Sequence, residues 1–150
     1  MARTFRLEVV TPEGSALRCD AQSLQAPGHL GYLGVLPGHA PMLCLLRPGV
    51  LSVRAAGEAT ERIFAVRGGF LEAQPEAVTV LADEVRDAQA LDVVELERRI
   101  AELPPLPESY PGETIEARAR MREQARTERT TQLEWLEAQL EAVHRLHKRG

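Results

Sequence analysis

Two histidines and a cysteine in the first third of the chain are the side chains best suited to metal binding or nucleophilic chemistry. His29, His39 and Cys44 are residue types that coordinate zinc or pair as a base and a nucleophile. Their spacings of ten and five residues match no zinc template, and no acidic residue stands near them to orient an imidazole. The spacing argues against a metal-dependent hydrolase, an alternative that metal analysis would test. We expect an interface role for His39 and a solvent-exposed loop position for His29.

The segment PGHLGYLGVLPGHAP, residues 27 to 41, is rich enough in glycine to raise the question of a phosphate-binding loop. Glycines at positions 28, 31 and 34 do not have the spacing of a dinucleotide fingerprint, and no Gly-Lys-Ser/Thr or helix follows. Tight β-turns explain these glycines better. Asp83 and Glu84 are adjacent, so on a strand they point to opposite faces and do not act as a carboxylate pair. The sequence therefore predicts a non-catalytic protein without a metal or cofactor site.

Composition and charge narrow the class of protein. Hydrophobic residues make up 44% of the chain and charged residues 27%, as in soluble globular proteins. The net charge of −4 lacks the basic excess of a nucleic-acid-binding domain. The longest apolar stretches span only a few residues, as in Met42 to Leu46, and the N-terminus resembles no signal peptide. We expect a cytosolic chain without direct membrane insertion, in which Cys19 and Cys44 are reduced and buried.

Short apolar runs separated by turn residues dominate residues 1 to 86. Phe5, Leu7 and Val9 alternate with charged residues, which is the period of a half-buried strand. Turn signals such as Pro48-Gly49 and Gly68-Gly69 recur roughly every 8 to 12 residues, a spacing typical of a β-sandwich or barrel. The pattern predicts one β domain over residues 1 to 86.

The hydrophobic period changes to that of helices over residues 87 to 150. A capping Asp92 precedes an apolar stripe at steps of three and four, which predicts a helix over 92 to 103. Four prolines and a glycine in residues 104 to 112 predict a stiff extended connector. Residues 113 to 149 contain neither proline nor glycine and predict one second helix. At about 1.5 Å per residue this helix spans about 50 Å, whereas the first spans about 18 Å.

The length mismatch bears on what the second helix contacts. An antiparallel first helix should reach only the start of the second, where apolar residues are sparse. A stronger apolar stripe lies beyond that reach and must be buried by the β domain or by a partner. A helical arm with two possible docking surfaces is a candidate switch, and the alternative is a permanently docked hairpin. The stripe comprises Leu133, Leu136, Leu140 and Val143.

Arginines recur along the first half of the second helix, interleaved with glutamates. They form either a solvated face with ion pairs between neighbouring turns or a basic surface that docks on an acidic element of a partner. The residues of this candidate regulatory face are Arg118, Arg120, Arg122, Arg126 and Arg129.

A series of short segments resembles one known family from residue 4 to residue 92. Their order and spacing resemble the epsilon subunit of F-type ATP synthases, whose mitochondrial counterpart is called delta. The resemblance implies a ten-stranded β-sandwich followed by an α-helical hairpin, with an overlong second helix in this chain. The segments are LEVVTPEG (7 to 14), LGVLPGHAPML (33 to 43), RPGVLSV (47 to 53), GGFLEAQPEAVTVLAD (68 to 83) and LD (91 to 92).

The resemblance also implies a location and a set of partners. Family members sit on the rotating central stalk, where the β domain packs on the gamma subunit and the c ring and couples ion-driven rotation to ATP synthesis. The raised arm reaches the alpha and beta subunits and inhibits ATP hydrolysis. We accordingly expect a peripheral position on the cytoplasmic face of the cell membrane. The alternative is a stand-alone adaptor or regulatory protein that reuses the same fold.

The loop ending in PGHAP corresponds in the family to the surface that faces the c ring and gamma. The resemblance therefore implies an interface set of Tyr32, Gly38, His39, Pro41 and Met42. Many members carry an acidic residue where this chain has Tyr32, so we expect an aromatic contact or none at that point.

In some bacterial members the hairpin binds ATP through a motif of the form Ile/Leu-Asp-x-x-Arg-Ala. This chain keeps Leu91 and Asp92 but has Glu95 and Leu96 at the Arg and Ala positions. Arg86 stands where ATP-binding members have an acid. A carboxylate in place of a phosphate-pairing arginine reverses the sign of the interaction. We therefore predict weak or no ATP binding.

Overall fold

A computed structural model describes residues 3–149 of the chain. Nine strands are followed by a 3₁₀ turn over Ala88–Ala90 and two helices, α1 (Val93–Ala101) and α2 (Ile115–Lys148). Within the described residues, no helix is both long enough and apolar enough to cross a membrane. The strands are β1 (Phe5–Thr11), β2 (Gly14–Gly28), β3 (Gly31–Val35), β4 (Met42–Leu46), β5 (Gly49–Ala55), β6 (Arg62–Val66), β7 (Gly69–Ala73), β8 (Ala77–Ala82) and β9 (Val85–Asp87).

The long strand β2 connects the two layers of the sheet. Its first half pairs with β1, and its second half pairs with β5 and β3. The hydrogen-bonded order is β1-β8-β7-β4-β2-β5-β6-β9, with β3 beside β2 and β1 closing back on β2. The layers face each other, which confirms the predicted β-sandwich followed by two helices. Residues 3–149 contain nine strands where the resemblance implies ten, and β2 is one strand of 15 residues that takes part in both layers.

Inward-facing side chains from both layers fill the interior of the sandwich. On β4, for example, Leu46 is buried in this core, and Met42 and Cys44 pack against it. Each fully buried Leu or Val contributes roughly 1.5 to 3 kcal/mol. Cys19 and Cys44 are free, half-buried thiols at the edge of the core. Burial raises the pKa of the Cys19 thiol.

The C-terminal half of α2 lies on the outer face of β5 and β6. Val50, Ile63 and Ala65 point away from the sandwich interior and form a second apolar cluster with this half of the helix. Trp135, the only tryptophan of the chain, is 5% exposed there. The β domain and the C-terminal half of α2 therefore share one hydrophobic contact. Its α2 side consists of Trp135, Ala138 and Ala142, with Leu146 at the edge.

Helix α1 also packs on the C-terminal half of α2, so the prediction that it would reach only the start of α2 is wrong. Leu96 of α1 forms a third cluster with Leu136 and Val143, and Leu140 packs against it. Leu133 is half-buried outside this cluster. The predicted apolar stripe is thus covered largely by α1 and is not left free for another surface.

The path of the connector between the two helices explains why α1 packs on the C-terminal half of α2 and not on its start. After α1 it runs back alongside the N-terminal half of α2 and contacts successively earlier turns, at Arg129, Arg122 and Arg118. An extended chain rises about 3.1 Å per residue, against about 1.5 Å in a helix. The short helix and the extended connector together therefore match most of the length of α2.

Candidate functional site

A row of apolar side chains crosses the outer face of β4, β7 and β8. In the strand register Leu45 pairs with Phe70 and Phe70 pairs with Leu81, and each is about half exposed. Directly opposed residues stand about 5 Å apart, so the three side chains form one patch. Leu43, which is 72% exposed, extends it along β4. We call these four residues the apolar row.

The apolar row lies on the side of the sandwich opposite α2, because α2 covers the outer face of the other layer. Monomeric proteins rarely expose contiguous apolar surface, and where they do it marks a binding site for a partner. Four large apolar side chains are thus exposed side by side on three strands. Its chemistry is that of a protein interface and not that of a catalytic centre.

Sequence reasoning missed the apolar row because β4 is apolar at every position. Alternation of apolar and polar residues shows which face of a strand is buried, and the sequence MLCLL has no such alternation. An unbroken apolar strand is itself a signal that both faces are covered. The core covers one face of β4. Leu43 and Leu45 lie on the other face, where they can contact a surface outside the sandwich.

The interface residues implied by the resemblance do not form one surface. Met42 packs against the core, so its side chain is not presented outward. Gly38, His39 and Pro41 lie in the loop between β3 and β4, where the Gly38 amide donates to the Pro75 carbonyl at 2.9 Å. Nδ1 of His39 lies 2.7 Å from the carbonyl oxygen of the next residue. The loop is therefore hydrogen-bonded to the β7–β8 turn and has a defined local conformation.

Tyr32 contacts α2 and is only 39% exposed. Its hydroxyl oxygen accepts a hydrogen bond from the Val50 amide at 3.0 Å, which fixes the ring. The Arg145 guanidinium stacks over the ring at 4.9 Å, a cation–π contact. A Cβ at Gly49 would lie 3.0 Å from the hydroxyl oxygen and 2.5 Å from Pro27, so only glycine fits beside the ring. Tyr32 thus makes an aromatic contact within the chain.

Glu61 ties the C-terminal end of α2 to the β domain. Its carboxylate accepts a hydrogen bond from the Ser52 hydroxyl at 2.7 Å and forms an ion pair with Arg54 at 3.5 Å. Arg149, just beyond α2, also pairs with Glu61. Together with Arg145 over Tyr32, this pair fixes the last two turns of the helix by polar contacts. The arginine partners are partly exposed, so these pairs contribute modest free energy and serve mainly to orient the helix end.

A cleft of about 480 Å³ lies between β9, α1 and α2, at the degenerate ATP motif. Asp92 caps α1 by accepting from the amides of Val94 and Glu95 at 2.9 and 3.4 Å. Leu96 is buried between the helices, and Arg86 pairs with Glu84 at 3.4 Å. The motif residues are therefore occupied by contacts within the chain. The cleft is lined by Arg67, Glu84, Arg86, Ala90, Leu91, Asp92, Glu95, Leu96, Arg99, Gln132, Trp135 and Gln139.

Glu95 pairs with Arg98 on the exposed side of α1, through contacts of 2.6 and 3.0 Å. The hydrogen bonds from Arg98 lower the pKa of the Glu95 carboxyl below its ordinary value. The ion pair therefore supports α1 fully above the ordinary glutamate pKa, and this support is lost as the pH falls through the lowered pKa.

We expect an NMR titration of the Glu95 carboxyl to give an apparent pKa below the ordinary value of a glutamate. In the Arg98→Gln variant the same carboxyl should titrate close to its ordinary value, because the hydrogen bonds to the guanidinium are gone. Arg99→Gln is the matched control and should leave most of the shift in place. An unshifted Glu95 in the unaltered chain would show that the pair does not persist in solution.

Three of the five predicted regulatory arginines contact the connector, and two of these three, Arg118 and Arg122, also remain exposed to solvent. Arg118 donates from Nε to the Gly112 carbonyl at 2.9 Å, and Arg129 donates from Nε to the Pro104 carbonyl at 3.0 Å. Arg122 lies over the Tyr110 ring at 5.9 Å. Arg120 and Arg126 make no such contact in the described part of the chain. The five arginines thus divide into three that contact the connector and two that do not, and four of the five are exposed to solvent.

The structure does not bring His29, His39 and Cys44 together. His39 belongs to the loop on the β7–β8 turn, whereas His29 lies at the other end of β3, where its amide donates to the Leu45 carbonyl at 2.8 Å. Cys44 packs against the core. From residue 3 to residue 149, no three His, Cys, Asp or Glu side chains are arranged to hold a metal ion.

Comparison with known families and relatives gives one consistent result. The family model of the ATP synthase delta/epsilon chain β-sandwich domain matches residues 4–88. The chain is 45% identical over 109 residues to an ATP synthase epsilon chain of Moorella thermoacetica, and the match covers 68% of this chain and 81% of that one. It is 43% identical over 102 residues to the ATP synthase epsilon chain of Granulibacter bethesdensis, covering 68% and 74%.

Solved structures with a similar fold come from mitochondrial ATP synthases. A chain from the Euglena gracilis enzyme, solved with its c ring, aligns with a TM-score of 0.68 at 23% identity over 90% of this chain and 78% of that one. A chain from the central stalk and c ring of the Tetrahymena thermophila enzyme aligns with a TM-score of 0.55 at 16% identity over 88% and 94%. At these identities the likeness concerns the fold, and it extends beyond the sandwich into the helices.

Proposed function

Because the chain belongs to the delta/epsilon family of ATP synthase subunits, we propose that it is a rotor subunit which couples rotation of the c ring to ATP synthesis in the catalytic head. Chains of this family are non-catalytic subunits of the complex. The observation that carries the proposal is the apolar row, a ready protein interface on the family's β domain. The chain would act at the cytoplasmic face of the cell membrane, peripherally, through its partners.

The β domain is proposed to be the fixed attachment to gamma and the c ring. The apolar row supplies an apolar interface core from which water can be excluded. Burying its three half-exposed large side chains contributes several kcal/mol to binding. Gly38, His39 and Pro41 are proposed as c-ring or gamma contacts, because the Gly38–Pro75 hydrogen bond holds their loop in a defined position. Tyr32 is assigned to the contact with α2 and not to a contact with the c ring.

The helical arm is proposed to contact alpha and beta when raised and to inhibit ATP hydrolysis there. The support for this role is the projecting N-terminal half of α2, in which nearly every residue from 115 to 132 is exposed. Arg120 and Arg126 are the regulatory arginines that stand outside the contacts with the connector. Glutamates interleaved with them keep the surface from binding anions indiscriminately.

The test is an add-back assay with the synthase of the same organism, stripped of this subunit and held in membrane vesicles. Adding the chain should restore ATP synthesis driven by an ion gradient, and the chain should co-purify with gamma and the c ring. Restored binding without restored synthesis would contradict the coupling role. Failure to bind gamma or the c ring would favour a stand-alone adaptor instead.

We expect no micromolar binding of ATP to the isolated chain in titration calorimetry. Glu95 places a carboxylate where phosphate-binding members have an arginine, and Arg98 holds that carboxylate in place. Leu96, at the neighbouring motif position, is buried between the helices and is engaged in packing within the chain. The variant Glu95→Gln removes the repulsive charge and serves as the control for electrostatic exclusion. Binding with a Kd in the micromolar range by the unaltered chain would refute the expectation.

A further inference from the structure

Strand β3 forms an open edge of the sheet. Among the described strands it pairs with β2 alone, and its register with β2 contains no bulge. Proteins usually protect such an edge with charged side chains, prolines or bulges, because its unpaired amides and carbonyls can recruit another strand. From Gly31 to Leu36 the sequence GYLGVL contains neither a charged residue nor a proline. The edge of β3 therefore lacks the usual protection against the addition of a strand.

The backbone of Tyr32 and Gly34 is turned toward this open side. Tyr32 is opposite Pro27, which has no amide and whose carbonyl accepts a hydrogen bond from the Arg47 amide at 3.0 Å, away from β3. Tyr32 therefore occupies a non-hydrogen-bonded position of the antiparallel ladder, and this position recurs two residues later, at Gly34. In the described part of the chain, no backbone group outside the strands pairs with the amide or carbonyl of either residue.

An additional strand would find space and apolar contacts along this edge. A Cβ at Gly34 would come no closer than 4.0 Å to any atom outside the adjoining residues, and a Cβ at Gly31 would meet nothing within 4 Å. Leu30 and Leu36, just outside the two ends of β3, are 100% and 62% exposed. A segment that pairs with β3 would lie between these two leucines, so its chemistry should be that of an extended, uncharged polypeptide.

The open edge is continuous with the apolar row. The His29 amide donates to the Leu45 carbonyl at 2.8 Å, which places the turn between β2 and β3 against β4, and Leu45 belongs to the row. Tyr32 and Gly34 offer only one amide and one carbonyl each, which is too small a contact to hold a partner alone. A second copy bound through β3 alone is therefore disfavoured, whereas a partner that also covers the row has the necessary area.

We propose that the subunit which covers the apolar row also adds an extended, uncharged segment to the edge of β3. Apolar contacts are non-directional, whereas backbone hydrogen bonds have a fixed geometry. The added strand would therefore set the orientation of an interface whose free energy comes mainly from the row. To name gamma as this subunit rests on the proposed function. The open edge and its continuity with the row do not.

The first test measures the binding of purified gamma to two variants of the full chain at one position. Gly34→Pro removes the outward amide and keeps the hydrogen bonds to β2, because an edge strand accepts proline where the amide faces outward. We expect it to weaken binding about tenfold in Kd, since a carbonyl of the added strand loses its donor. Gly34→Ala keeps the amide and has space for its Cβ, so this matched control should stay within about twofold of the unaltered chain.

The second test needs no substitution and reads the amides of β3 by NMR-detected hydrogen exchange. In the free chain the amides of Tyr32 and Gly34 should exchange fast, whereas those of Leu33 and Val35, whose backbone faces β2, should exchange slowly. Purified gamma should slow the exchange of Tyr32 and Gly34 at least about tenfold. If Gly34→Pro melts well below Gly34→Ala, this measurement decides the question.

The outcomes separate this proposal from the proposed function. Fast exchange of Tyr32 and Gly34 in a complex with gamma that does form would overturn strand addition and leave the rotor role intact. Equal binding of two folded variants, Gly34→Pro and Gly34→Ala, would have the same meaning. Protection of the two amides in the free chain that rises with its concentration would assign the edge to a second copy and overturn the partner. Failure of gamma to bind the unaltered chain would overturn both proposals.

Discussion

Replacing Trp135 by alanine is expected to weaken the docking of α2 on the β domain by about 3 to 5 kcal/mol, the usual range for a buried tryptophan. The side chain is 5% exposed and packs in the cluster with Val50, Ile63 and Ala65. Alanine would leave a cavity between the helix and the sheet, and neither β5 nor β6 can move to fill it without disturbing the core beneath. Urea unfolding followed by circular dichroism, with hydrogen exchange of residues 133 to 147, measures the loss.

The matched control is Met121→Ala, because Met121 lies on the projecting half of the same helix and is 43% exposed. It should change the stability by less than about 0.5 kcal/mol. Equal behaviour of the two variants would mean that α2 is not docked in solution. In the unaltered chain Trp135 is the only tryptophan, so a red shift of its emission reports directly when the helix leaves the sheet.

Phe70→Glu is expected to weaken binding to gamma by at least about 2 kcal/mol, or about thirtyfold in Kd, while leaving the isolated chain folded. Phe70 is the middle residue of the apolar row, with Leu45 on one side and Leu81 on the other. A carboxylate there would be desolvated in the interface without a partner. In the free chain the Phe70 side chain is about half exposed and points to solvent, so the substitution should not disturb the packing of the core.

Val94→Glu provides the comparison, since Val94 is an exposed apolar residue of α1, at 73%, far from the row. Binding of purified gamma to each variant, with thermal melting of each chain alone, separates loss of the interface from loss of the fold. A Phe70→Glu chain that binds as tightly as Val94→Glu would remove the apolar row as the interface with gamma. Melting of Phe70→Glu well below the unaltered chain would instead mean that Phe70 belongs to the core.

The local elements of this fold were predictable because their signals lie within a few residues. Phe5, Leu7 and Val9 alternate in the sequence, and in the structure all three point into the sandwich core. Asp92 precedes an apolar stripe and caps α1 with two hydrogen bonds. In both cases the residues that carry the pattern also make the contacts that the pattern predicts.

The arrangement of the arm was not predictable in the same way. The sequence predicts a nine-residue extended segment, residues 104–112, but does not show that this segment lies along α2. Its placement depends on hydrogen bonds from Arg118 and Arg129 to its carbonyls. The contact between Tyr32 and Arg145 joins residues far apart in the chain and leaves no local pattern. The apolar row was hidden because β4 has no polar residue to mark its outer face. In each case the missing information was which surfaces meet.

The continuity of β2 has a mechanical consequence. Because one strand is hydrogen-bonded to β1 in one layer and to β3 and β5 in the other, the layers cannot slide past each other without breaking its ladder. A torque applied at the apolar row would therefore turn the sandwich as a single stiff block. Elastic compliance is left to the projecting half of α2, which is about 30 Å long and is braced by the connector alone.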